Sequence, residues 1–301
     1  MRYIKLVLDF YHPWANNCGF YYGRDLGFYK AEGIDLDIVS YDPYRGDSLG
    51  RLLADEADFA YNYPNRLMLR NEAGDNLLSI AACNNRSFEA LIYDKRHPIT
   101  SFAELEDKVV GVPRSPRVRA VLKYMMAKAG KDPARVSFKE YYPNEPDPLD
   151  IHKGVVDCIY GTFWGWEGVL ACLQDENIAW KEVSELNAPY CHTQIIAVKK
   201  SFAHQDPQLV RGFLRATYKG FAAAAEQPTQ AAESMVLVAP YYSKSQFTAS
   251  ITAIAETWHL DAWGRHNMPL IAAYAHWLAA HGFLEAEKGH DKYFTDEYLP
   301  E

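Results

Sequence analysis

The chain of 301 residues has few of the usual signatures of catalysis. It holds no Walker loop, no HExxH and no GxGxxG, so the common phosphate-loop, zinc-protease and dinucleotide motifs are absent. Its GxSxG match, GDSLG at residues 46–50, does not directly follow a predicted strand and so lacks the strand-to-helix elbow that motif needs. Cysteine is scarce and unpatterned. Cys18, Cys83, Cys158, Cys172 and Cys191 form no CxxC and no zinc spacing; small buried thiols are expected, and free thiols suit a reducing compartment. No basic run occurs, and Asp plus Glu outnumber Lys plus Arg by 39 to 31, a formal charge of -8. That balance argues against nucleic acid and anionic membrane surfaces as partners. No apolar run reaches the length of a membrane span, so the chain is not expected to cross one. The ten histidines are scattered, and no nucleophile–base pair can be read from spacing.

What is present is globular. Apolar residues make up 49% of the chain, and its length suffices for two domains with a large core. Aromatics are plentiful, with 21 Tyr and 7 Trp. Stacking of planar ligands is one use of that surplus, and ordinary packing is the commoner one. The opening MRYIKLVLDFY reads as a strand with an acidic residue and not as a signal peptide. Two placements stay open: cytoplasmic, or periplasmic or lipid-anchored after removal of a leader.

The first forty residues read as one β-loop-α-β unit. Residues 4–8 are a strand, 9–17 a polar and aromatic loop, 19–29 a helix, and 34–39 a half-buried strand of alternating apolar and acidic residues. A loop at the carboxyl end of a strand is where ligands sit in open α/β sheets. Phe10, Tyr11, Trp14, Asn16 and Asn17 make that loop flat-faced and amide-rich, with core packing as the bland use of its rings.

Further along, 47–54 is a predicted helix, 57–61 a strand, NYPNR a turn with Tyr63 and Asn65, and 66–72 a helix. Strands are predicted at 77–82 and 90–93, and the β-α-β-α order argues for a mainly parallel sheet flanked by helices. A second compartment starts near residue 94, with strands at 109–112, 136–141 and 155–160. Residues 113–117 feed the helix 118–129, with Ser115 as N-cap. Free backbone N–H groups there suit an anion or polar ligand atom, and equally a plain capped helix. NEPDPLD is a Pro-rich loop. GTFWGWEGVLACL carries Phe163, Trp164, Trp166 and Glu167 into a helix. Glu167 has two open readings: an acceptor for a ring amine beside three aromatics, or a solvated acid favoured by the helix dipole. Residues 188–198, with Tyr190 and His192, are predicted as a strand leading back to the first compartment. Helices then follow at 207–225, 229–238, 244–258 and 267–281.

LVLDFYHP…GFYYGRDLGFYKAEGIDLDIV, ADFAYNYP, GVPRSPRVRAVLKYMM, VDCIYGTFWGWEG and the tail WGRHNMPLIAAYAHWLAAHGFL…YFTDEYLP resemble, in order and spacing, the NMT1/THI5-like family of type II periplasmic-binding-protein folds. The resemblance spans nearly the whole chain. It implies a two-lobed α/β fold with mixed sheets and a helical C-terminal region. Lobe one would be residues 1–92 plus 193–301 and lobe two residues 93–192, with the ligand cleft between them. The branch it resembles most is the formylaminopyrimidine-binding proteins of ABC importers. By that resemblance the ligand is a small planar heterocycle, an ABC permease is the partner, and neither cofactor nor metal is required. An aromatic of the first loop would stack on the pyrimidine and a Glu would take its amino group, roles that fall on Phe10 and Glu167. Phe10 stands where the family usually has Trp, Asn17 where it often has His, and one residue is added, so Trp14 is an alternative stacking face. The enzyme branch, which makes the thiamine pyrimidine, uses a Lys, a donor His and a Cys-rich stretch. Here Asn62, Arg66 and the single Cys191 stand at those positions, and Asn62 offers no amine for a Schiff base. The expectation is a non-enzyme; a thiamine-pyrimidine enzyme or sensor in the cytoplasm is the alternative.

Overall fold

The computed structural model describes residues 1–42, 44–142, 145–285 and 289–300. Residues 143 and 144, where the Pro-rich loop was expected to begin, lie outside the described residues. The described strands, in chain order, are β1 (Arg2–Val7), β2 (Ile34–Val39), β3 (Phe59–Asn62), β4 (Leu77–Ala82), β5 (Glu89–Asp94), β6 (Val109–Pro113), β7 (Ser137–Tyr141), β8 (Cys158–Phe163), β9 (Ile178–Glu182) and β10 (Ile195–Lys199). The chain divides into two compact units: unit 1 is Met1–Asn85 with Cys191–Glu301, and unit 2 is Arg86–Tyr190.

Unit 1 is built on a sheet of order β2-β1-β3-β10-β4. The first three strands run parallel, with Ile4 opposite Leu36, and β10 returns antiparallel to both β3 and β4. The alternation in β2 is read directly: Ile34 and Leu36 are buried while Asp35 is exposed. β4 reads LLSIAA and is buried at every position, as a strand covered on both faces should be. Helix Cys18–Asp25 packs on helix Pro207–Glu226 at very close range. A Cβ added at Gly220 would sit 2.1 Å from the Gly19 carbonyl oxygen, so only glycine fits there. Asp206 caps the longer helix through the Leu209 N–H at 3.1 Å, with Pro207 in the first turn. Phe213 on that helix stacks on Phe59 of the sheet, centroids 3.8 Å apart.

Unit 2 has its own sheet, of order β7-β6-β8-β5-β9. β6 is parallel to β7 and β8, and β5 is antiparallel to β8 and β9. Ser115 caps helix Pro116–Lys128 by accepting from the Val118 N–H at 3.5 Å. Gly161 in β8 has φ +87°, and a Cβ there would meet Val118 at 2.6 Å, so glycine lets the strand pass the helix start.

Some predicted elements move. The helix expected over 19–29 breaks at Gly27, whose φ of +78° ends the first segment at Asp25. The strand expected at 90–93 belongs to unit 2's sheet. The strand expected over 188–198 begins only at Ile195: Pro189 has no N–H, and His192 and Gln194 spend their side chains on Asn84 and Asp9. β9, IAWKE, was not anticipated, because one buried and four half-buried residues of mixed character carry no clear period. The expected helix over 244–258 turns into a tighter 3₁₀ segment at Ala255. No helix among the described residues is long and apolar enough to cross a membrane.

Candidate functional site

In unit 1 the first loop follows β1. Phe10 is half-buried and Tyr11 is 48% exposed, with their ring centroids 4.2 Å apart. His12 stands edge-on to both, at 4.8 and 4.7 Å. The turn before helix Lys244–Ile254 adds Tyr241 and Tyr242, 5.8 and 5.3 Å from the His12 ring. That turn, APYYS, was not among the predicted site residues; its paired tyrosines were the available signal. Trp14, by contrast, is 2% exposed, so the rings with accessible faces in this loop are Phe10 and Tyr11.

Beneath the rings lies a buried amide network. Asn16 Nδ2 has Tyr61 Oη, Asn84 Oδ1 and Gln194 Oε1 within 2.7–2.9 Å, and Asn16 Oδ1 accepts from Asn84 Nδ2 and from the Trp258 indole at 2.8 Å. Asn17 is buried; its Oδ1 accepts from the Trp14 N–H at 3.0 Å, while its Nδ2 has no partner among the described residues. Asp9 takes a hydrogen bond from Gln194 Nε2 at 2.5 Å. Burial raises its pKa, and hydrogen bonds from Tyr63 and Gln194 offset part of that rise. Tyr63 and Asn65 are both half-buried at the start of helix Pro64–Glu72, with Arg66 over the Tyr63 ring at 5.3 Å. Asn62 is wholly buried; its Nδ2 donates to Ser48 and its Oδ1 accepts from the Tyr63 N–H. His192 is also consumed by structure. Its Nδ1 bonds the Asn84 carbonyl at 2.7 Å and its Nε2 accepts from the Asn267 N–H at 2.9 Å, which fixes a neutral ring. Burial is the main force pushing its pKa down to about 4.

In unit 2 the end of β8 runs into a π-helical segment, Trp164–Gly168, before α-helix Val169–Cys172. Such wide turns recur at functional sites. Glu167 is half-buried on it, and its Oε2 accepts from the Phe163 N–H at 3.2 Å. Burial foremost, then the charge of Glu145, raises its pKa to about 8. Burial and Glu89 raise Glu145 to about 7. Glu89 is itself paired with Arg117. Trp164 is buried and stacks on Trp180 at 5.8 Å, and Phe88 packs edge-on against it. Its indole N–H has no partner among the described residues. Phe163 and Tyr190 are half-buried. Ser115 is half-buried too, and its oxygen serves as the helix cap described above.

One other arrangement was not legible in the sequence. Ser79 Oγ lies 2.8 Å from His266 Nε2, and His266 Nδ1 lies 2.6 Å from Asp296 Oδ1. The spacing is that of a hydrolytic triad, but Ser79 is fully buried in β4. With Thr295 N–H on the Ser79 carbonyl at 3.0 Å, the trio pins the C-terminal tail to the sheet. The five cysteines are unpaired, and burial raises the pKa of each, foremost among the causes. No group of three or more His, Cys, Asp or Glu among the described residues is arranged to hold a metal.

Comparison with known proteins agrees with this architecture. The family model described as NMT1/THI5 like matches residues 14–231. The formylaminopyrimidine-binding protein of Halalkalibacterium halodurans is 22% identical over 228 residues, covering 76% of this chain and 68% of that protein. The periplasmic sulfonate-binding protein SsuA from Methylobacillus flagellatus KT superposes with a TM-score of 0.72 at 11% identity, covering 99% of this chain and 92% of its own. The desulfurization protein DszB, solved with biphenyl-2-sulfinic acid, gives 0.66 at 14% identity over 99% and 98% of the two chains. At those identities the structures establish the fold alone: that of the periplasmic binding proteins.

Proposed function

The chain belongs to the NMT1/THI5-like family, and from that premise we propose that it is the substrate-binding component of an ABC importer for a small aminopyrimidine, a thiamine precursor or breakdown product. Glu167 carries the reading. It shares its π-helical segment with the buried Trp164 and Trp166, follows Phe163 by four residues, and has one oxygen held by the Phe163 N–H. A carboxyl group with a pKa near 8 is costly to ionise until a donor meets it. An exocyclic amine is such a donor for one oxygen; the ring nitrogen beside it accepts from the other oxygen when the carboxyl group is protonated, and donates to it when the ring nitrogen carries the proton. In unit 1, Phe10 and Tyr11 supply ring faces of the kind on which a planar heterocycle stacks. The curated formylaminopyrimidine binder supports the ligand class.

In this reading the protein binds without catalysing. The enzyme branch needs an amine where this chain has Asn62, whose carboxamide is spent on Ser48 and Tyr63. The membership of DszB in the same fold keeps an enzyme or sensor as the second reading. As an importer component the chain would act outside the cytoplasm and dock on a permease. Mass spectrometry of small molecules released from protein purified without additives tests the proposal. An aminopyrimidine is expected, and a panel of pyrimidines and thiamine that neither co-purifies nor raises the melting temperature would sink it.

A further inference from the structure

Unit 1 holds a cavity of about 330 Å³ lined by Ala82, Asn85, His192, Trp258, His259, Ala262, Gly264, Arg265, His266 and Asn267. Its volume falls within the range of small-ligand sites, about 300–1,000 Å³. Its walls are fixed. Trp258 and His266 are buried, His192 is held from both ring nitrogens, and the Ala82 N–H bonds the Gly264 carbonyl at 2.8 Å. His259 at the rim adopts a left-handed conformation, φ 47° and ψ 61°, which non-glycine residues hold at a cost and often at functional positions.

The lining is unusual for this chain. Acidic residues outnumber basic ones overall, yet none lines the cavity among the described residues, while Arg265 and three histidines do. Arg265 and His259 are exposed, and neither side chain has a hydrogen bond or ion pair among the described residues. Asp296, the acid that feels the Arg265 charge, is already committed to the His266 ring and backbone N–H groups. Asn85 contributes a carboxamide with no side-chain partner among the described residues, and Asn267 has its oxygen on the Leu270 N–H, which leaves its NH₂ to donate.

We infer that this cavity is a second, anion-binding site for a phosphate or phosphomonoester. The donors are the Arg265 guanidinium, the His259 ring and the Asn85 and Asn267 amides. Four donor groups from separate backbone positions suit a tetrahedral anion with several oxygens better than a carboxylate with two. An unpaired guanidinium is the side chain that recognises phosphate through paired N–H bonds. The helix Met268–Ala280 begins at the same wall and adds potential of the same sign. The inference rests on unit 1 alone and is independent of the pyrimidine reading.

Calorimetry and ¹H–¹⁵N spectra on the full chain test it, titrating inorganic phosphate, glycerol 3-phosphate and acetate at constant ionic strength. Saturable binding of a phosphate compound is expected, with amide shifts centred on residues 258–267. Arg265→Gln should weaken it about ten- to hundredfold, the scale of a charged hydrogen bond, and Glu167→Gln should leave it unchanged. Tighter binding of the ester would assign the site to phosphomonoesters, and equal binding to phosphate itself. An absent phosphate response, an equal response to acetate, or full binding by a folded Arg265→Gln variant would overturn the inference.

Discussion

Under the first loop of unit 1, Asn16 has each side-chain atom engaged by Tyr61, Asn84, Gln194 or Trp258. Beside Phe163 in unit 2, Glu167 has a backbone N–H on one oxygen and the charge of Glu145 acting against it. Both sites place polar atoms among aromatic rings. Around Asn16 the protein satisfies them itself, which makes a rigid base for the rings above, although the neighbouring Asn17 Nδ2 has no partner among the described residues. In unit 2 the carboxyl group is left dear to ionise, which reserves a place for an outside donor. A binding protein needs both: a preformed surface that costs little entropy on binding, and a group whose hydrogen bonds are completed by the ligand.

The hardest blow to that contrast is Asn16→Leu. It strips partners from several buried groups at once, each costing about 1–3 kcal/mol when left unsatisfied. A loss above about 3 kcal/mol is expected in urea denaturation. A loss below about 1 kcal/mol would mean that the network is slack and unit 1 is no more satisfied than unit 2.

Glu167→Gln should do the reverse. Stability holds or improves, because a carboxyl group that resists ionisation disappears, while affinity for the pyrimidine falls by about 1.5–3 kcal/mol, ten- to hundredfold. The NH₂ group would face the ligand's amine, donor against donor. Titration calorimetry that finds affinity intact removes Glu167 from the site.

Glu167 and His192 should also respond to pH with opposite signs. Glu167 and Glu145 have folded pKa values near 8 and 7, above the ordinary carboxylate value, so the folded state keeps protons the unfolded state has lost. Unit 2 therefore loses stability as pH rises from about 4.5 towards 8. His192 is depressed to about 4, so the unfolded state binds the proton first. His192 therefore costs unit 1 stability as pH falls from about 6.5 towards 4, while Asp9, whose pKa burial raises, acts in the opposite sense as pH rises. Asp296 acts in the same direction as His192 at lower pH. Burial works against its ionisation, but the His266 hydrogen bond and charge leave its pKa below the usual value, and that stability is lost on protonation. Hydrogen exchange resolved by residue at pH 5 and pH 8 reads both slopes. Equal slopes in the two sheets would erase the distinction.

How much of this could be read in advance depended on range in sequence. The alternation of IDLDIV in β2, the apolar run of β4 and the Ser115 cap are local, and each was legible. So was the placing of Glu167 among aromatics four residues beyond a strand, although its π-helical turn was not. What escaped is set by residues far apart. His192 looked like a ligand group until Asn84 and Asn267 took both ring nitrogens. Tyr241 meets the first loop from more than 200 residues away, and the anion cavity draws on residues 82, 85, 192 and 258–267. No period or spacing encodes such meetings; they follow from how the sheet and the late helices pack.

The smallest effect expected concerns the ring above the network. Phe10 is half-buried, tilted 37° from Tyr11 and edge-on to His12. Its face is smaller than an indole. Phe10→Trp should widen the stacking surface without disturbing Asn16, which lies beneath the loop and keeps its own partners. Aromatic pairs contribute about 0.5–1.5 kcal/mol beyond buried area, and only the increment from phenyl to indole is gained. An improvement of about 0.5–1 kcal/mol is expected, roughly two- to fivefold in affinity, with the melting temperature of the free protein unchanged. Phe10→Leu should weaken binding by a similar amount, since it keeps bulk and loses the flat face. If both variants bind as the parent does, Phe10 is a packing residue. The flat-faced surface of unit 1 would then pass to Tyr11 and the tyrosines of the 241–242 turn, and the same pair of substitutions at Tyr11 would locate it.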